Sequence, residues 1–183
     1  GDPTYGGRLT GDGVVSIDGI GLTATGDLTG FDGTMEIGVG RSLQIVPSAI
    51  RDVTLDFDTS TGAPGVLPGI LRIEHSNAFE VTYAGDISGD VRVFKQGTGT
   101  TRLTGTATHT AGTRVLDGTL VGSTRNLQRV IDVSGGATLE FDQEDDGTFG
   151  GTIQSVGGAI TVRKTSLGAV SYTHLRAHET KAN

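Results

Sequence analysis

Four stretches of this 183-residue chain carry side chains whose types and spacing could do chemistry. Near its end, "VSYTHLRAHET" (170–180) sets His174 and His178 four residues apart with Glu179 alongside, the ligands a helical metal site would need. "DQEDDG" (142–147) offers Asp142, Glu144 and Asp146 to a calcium ion. "LRIEH" (71–75) supplies Arg72, Glu74 and His75 on a strand, where alternate residues share a face, as an exposed carbohydrate-active cluster would. "TGTATHTAGT" (104–113) spaces Thr104, Thr106, Thr108 and Thr110 at period two, the beginning of an ice-binding ladder.

Each pattern lacks a part. A calcium loop of the EF-hand type needs a bidentate Glu where Ile153 stands, so the acidic turn reads as solvated. The Arg72/Glu74/His75 cluster has no second carboxylate on a matching strand. The threonine row occurs once, and Thr is a good strand residue in its own right. No phosphate loop, dinucleotide fingerprint, G-x-S-x-G elbow or HExxH is present. The expectation is therefore no catalytic, cofactor-binding or metal-ligating residue, no cofactor, and no enzyme.

Composition narrows the partners. The net charge of −7, without a basic stripe, argues against nucleic acid and against anionic lipid. The absence of cysteine removes disulfides, thiolate zinc sites and a cysteine nucleophile. There is no apolar run long enough for a helical membrane span. The chain opens at Gly1 without an initiator methionine or signal peptide, so it is expected to be cut at that end.

The elements that would have to position any site are short strands. Val15-Ser-Ile17, Leu43-Gln-Ile45, Leu71-Arg-Ile73, Val91-Arg-Val93 and Ile160-Thr-Val162 alternate apolar and polar residues between Gly, Asp and Ser. They also recur. "TYGGRLTG" (4–11), "TYAGDISG" (82–89) and "TFGGTIQS" (148–155) share one pattern, and "TLDFD" (54–58) returns as "TLEFD" (138–142). "VRVFKQGTG" (91–99) aligns with "ITVRKTSLG" (160–168), pairing Lys95 with Lys164 and Gly99 with Gly168. Gly26 and Gly33 keep the spacing of Gly105 and Gly112.

This grammar predicts an all-β chain, a single-stranded parallel β-helix (β-solenoid) open at both ends, with the aromatic of T-[YF]-x-G in the same interior slot on successive coils. Coils of roughly 20–25 residues would make about seven or eight turns over residues 1–169. An antiparallel sandwich also has alternating strands, but accounts less well for the recurrence.

Residues 93–168 carry a family pattern. Lys95, Gly97 and Gly99 lead into Leu103-Thr104-Gly105, then Ala111-Gly112-Thr113 and Gly118-Thr119-Leu120. Ser134-Gly135-Gly136-Ala137-Thr138-Leu139-Glu140 and Gly151-Thr152-Ile153 follow. The stretch resembles the passenger-associated transport repeat of bacterial autotransporters, departing from it at His109-Thr110, where an aromatic is usual. The resemblance implies a right-handed β-helix forming a structural stalk in a secreted, surface-displayed passenger or adhesin. Such a passenger is extracellular, attached to the outer membrane of a Gram-negative bacterium, and its repeat assists export and folding. Its partners would be a C-terminal outer-membrane β-barrel, missing from this segment, and neighbouring coils, with a host surface or glycans beyond them. The rival expectation is a fragment of a β-helical polysaccharide lyase or hydrolase.

After Gly168 the repeat grammar stops. Residues 170–180 resemble the translation of a transposase-type DNA sequencing adapter, matching it at all eleven positions. Residues 1–169 are thus expected to be the passenger segment and 170–183 an artefactual tail. On that reading the His174/His178 pair has no biological role.

Overall fold

The computed structural model describes residues 1–46, 56–58 and 67–176, with side chains at 1–46 and 67–172. Nine strands form one long sheet: β1 (Thr4–Tyr5), β4 (Leu22–Ala24), β7 (Ser42–Ile45), β9 (Gly69–Glu74), β11 (Val91–Gln96), β13 (Thr113–Val115), β15 (Val130–Ser134), β17 (Gly147–Val156) and β19 (Val170–Arg176). A second sheet stacks β10 (Val81–Tyr83), β12 (Thr100–Leu103), β14 (Thr119–Gly122), β16 (Thr138–Phe141) and β18 (Thr161–Lys164). In the N-terminal part, β2 (Arg8–Gly11) pairs with β5 (Asp27–Phe31). There too, β3 (Val14–Ile17), β6 (Thr34–Ile37) and β8 (Asp56–Asp58) form a three-stranded sheet.

Every strand pairing among the described residues is parallel, and none of those residues is helical. The chain is a β-solenoid of about seven turns, which excludes the sandwich. Parallel neighbours require the chain to travel round before it returns, and here the other sheets make that return path.

The register follows from burial. Leu22, Leu43, Leu71, Val93, Thr113, Ile131 and Ile153 occupy one column of the long sheet, each paired with the next. A slip of one residue would turn the whole column to solvent. Each of its large aliphatic side chains contributes about 1.5–3 kcal/mol by leaving water. The second sheet has its own column, Val81, Thr101, Leu120, Leu139 and Val162. At its C-terminal end the interior holds Phe141 and Phe149, whose rings meet edge-on with centroids 5.4 Å apart.

Two expectations about phase are corrected. Tyr5 and Phe149 lie in the long sheet but Tyr83 lies in the second, so the shared motif does not fill one slot. Lys95 is in a strand of the long sheet and is buried, whereas Lys164 ends a strand of the second sheet and is half-buried. The two segments are therefore half a coil out of phase. Both kinds of strand carry the same alternation, so sequence alignment slides from one to the other at no cost. Of the paired corner glycines only the first pair matches: a Cβ at Gly26 or Gly105 would overlap the Gly7 or Gly85 carbonyl oxygen of the coil before, whereas Gly112, unlike Gly33, has positive φ.

The segment 170–176 does not break away as a separate element. Strand β19 pairs in parallel with β17, and Tyr172 sets its ring 5.5 Å from that of Phe141. An open sheet edge offers unpaired backbone groups to any extended chain that follows.

Candidate functional site

The residues singled out by type mostly serve the coil. His174 is in a strand, opposite Thr152, so the i, i+4 arrangement of a helix is not formed there; His178 and Glu179 lie outside the described residues. Arg72 and Glu74 face outward, Arg72 over the Phe94 ring and Glu74 accepting a 2.8 Å bond from Gln44. His75 turns inward and is fully buried, its Nε2 donating to the Phe79 carbonyl at 2.5 Å. The cluster expected from "LRIEH" is thus split between two faces.

The acidic turn is similarly occupied. Asp142 accepts from Arg102 Nη1 at 2.6 Å and from the Ser166 hydroxyl. Those two bonds, Ser166 first, hold its carboxyl below the usual range. Asp146 accepts from the Ala169 N–H at 2.7 Å. Among the described residues no three His, Asp or Glu side chains converge as metal ligands. Thr104, Thr106, Thr108 and Thr110 do share an exposed face. On the preceding coil they meet Asp86 and Asp90 instead of further threonines, so no ladder develops.

Lys95 does more than repeat grammar suggests. It stands in the interior column between Ile73 and Val115. Its ammonium donates to three carbonyls, Gln96 at 2.9 Å, Gly97 at 2.6 Å and Asp117 at 3.2 Å. All three protons are used, and two successive turns are tied together. Burial lowers its pKa to about 8, so it is still a cation at neutral pH.

The least regular place was not flagged by residue type. After β14 the coil is interrupted by an isolated α-turn, in which Leu127 N–H donates to the Ser123 carbonyl at 2.8 Å. Asn126 makes the interruption possible. Its amide oxygen accepts from Ser123 N–H at 2.7 Å and its amide nitrogen donates to the Leu103 carbonyl at 2.9 Å. On the coil before, the Thr104 N–H reaches the Tyr83 carbonyl directly. The Asn126 side chain thus relays between two backbone groups that the regular coil would join.

This detour opens a groove of about 630 Å³ lined by Thr110, Thr124, Gln128, Arg129, Thr148 and Thr152, among others. Arg129 has φ 59°, the one positive value outside glycine among the described residues. Its carbonyl lies so close to Gly151 that a Cβ there would overlap it, which explains the glycine. Against β19, strand β17 shifts register between Phe149 and Thr152. Behind the groove His109 is buried, with Nε2 2.9 Å from the Thr113 hydroxyl. Burial, and secondarily the charge of Arg129, push its pKa down to about 4 and keep the ring neutral.

Compared with known protein families, with curated proteins and with solved structures, the chain gives no match. The signal for the groove was present in the sequence as "STRNLQR" (123–129), where alternation fails and turn-forming Ser and Asn appear together. What that signal lacks is any indication that a side chain, Asn126, would replace a rung of backbone pairing.

Proposed function

We propose that this chain is a structural stalk segment of a secreted, surface-displayed autotransporter passenger or adhesin, whose repeat assists export and folding. The observation that carries this reading is where the family-like residues sit. Gly97, Gly112, Gly118 and Gly136 adopt positive φ at turns, Leu103, Leu120, Leu139 and Ile153 fill the interior, and Lys95 ties its own turn to the next. A solenoid built this way grows by one coil at a time on the edge of the last. Such growth suits a chain that emerges gradually through a narrow exit. Attachment to the outer membrane and a C-terminal barrel belong to the same proposal.

The rival reading, a polysaccharide lyase or hydrolase, requires carboxylates that converge across a substrate cleft. The Arg129 groove has none among its lining residues, and Asp142 is engaged by Arg102 and Ser166. The test is export. The whole chain, placed ahead of an outer-membrane translocator barrel, should reach the cell surface and be removed by protease added to intact cells. Retention in the periplasm, or release of new reducing ends from polysaccharide, would count against the stalk.

A further inference from the structure

The Arg129 groove combines features that a plain stalk does not need. It interrupts the coil with the 123–127 turn and holds Arg129 in the left-handed region. The Arg129 guanidinium makes no ion pair or hydrogen bond among the described residues, unlike Arg102 or Arg163. The groove it lines is also lined by four hydroxyl-bearing residues, Thr110, Thr124, Thr148 and Thr152, and by Gln128. Val130, 42% exposed, supplies an apolar patch. A second depression of about 240 Å³ adjoins the first, sharing Thr110 and Val130, and brings in Arg92 and Arg114. There Arg114 is balanced by Asp132 at 3.6 Å, while Arg92 donates to the Ala111 carbonyl.

We infer that this groove binds a linear acidic polysaccharide, with a carboxylate or sulfate on Arg129 and sugar hydroxyls on the surrounding threonines. A guanidinium presents a fork of donors that matches either anion. Hydroxyl and amide side chains can both donate to and accept from sugar hydroxyls. The exposed Val130 suits the apolar face of a sugar ring. Two adjoining depressions favour a ligand of repeating units over a single small anion. The chain carries net charge −7, so attraction is local to the groove. At physiological salt, charges beyond about 8 Å are largely screened. The site involves no bond making or breaking, and it does not depend on the export route.

The test is affinity electrophoresis of the full chain in gels containing polygalacturonate, dextran sulfate or neutral dextran. Retardation is expected in one or both anionic gels and not in neutral dextran; which anion retards identifies the charged group. Arg129→Gly keeps the backbone at ease with positive φ and removes the guanidinium, and should weaken retention by about tenfold or more. Its circular dichroism and melting temperature should stay at wild-type values. Arg163→Gln, which removes an exposed charge outside the groove, should bind as wild type. The inference is overturned if neither anionic polymer retards the chain, if neutral dextran retards it equally, or if Arg129→Gly and Arg163→Gln bind alike.

Discussion

The Asn126 side chain donates to the Leu103 carbonyl at 2.9 Å and so stands where the next coil's backbone N–H would be. Asn126→Leu keeps the branched shape but leaves both the Leu103 carbonyl and the Ser123 N–H without this partner. Each buried group left unpaired costs roughly 1–3 kcal/mol, so a loss of about 2–6 kcal/mol is expected in urea unfolding. A variant within about 0.5 kcal/mol of wild type would show that the relay is not structural.

Acid should weaken the protein through His109. Its folded pKa of about 4 lies below the ordinary 6.5, so the unfolded chain binds this proton more readily. Stability is therefore full above pH 6.5 and declines as pH falls toward 4, by about 3 kcal/mol in all. His109→Phe removes the titrating group and should flatten that part of the stability–pH curve. An unchanged slope between pH 6.5 and 4 would assign the acid sensitivity elsewhere.

Lys95→Met tests whether the buried ammonium holds the turns together. The change preserves the apolar stem but takes the donor from the Gly97 and Asp117 carbonyls. A cost of about 1–3 kcal/mol is expected. Lys164→Met, at the position that sequence alignment pairs with it, should cost less, because Lys164 is only half-buried in the other sheet. Equal effects would mean that the two lysines do equivalent work and that the assigned phase is wrong.

The fold was legible because period-two alternation, Gly-rich corners and long-range recurrence all require the same thing, a column of small and aliphatic residues seen once per coil. Leu43, Leu71 and Val93 show that logic directly. Phase was not legible, since strands of both sheets obey the same alternation and Lys95 and Lys164 look alike outside their coils. The groove was hidden for a different reason. Its wall comes from three successive coils, bearing Thr110, Thr124 and Thr148, and nothing local in the chain announces that they meet. Asn126 reads as a turn residue, and its bond to Leu103 exists only once the coil is closed.

The most direct test of the stalk reading is the source DNA on both sides of this segment, sequenced from a library made without transposase adapters. If the chain is such a stalk, the repeat grammar should continue past Ala169 in place of residues 170–183, and an outer-membrane β-barrel should be encoded downstream. A complete gene that lacks a barrel, or in which "VSYTHLRAHET" persists, would contradict that reading.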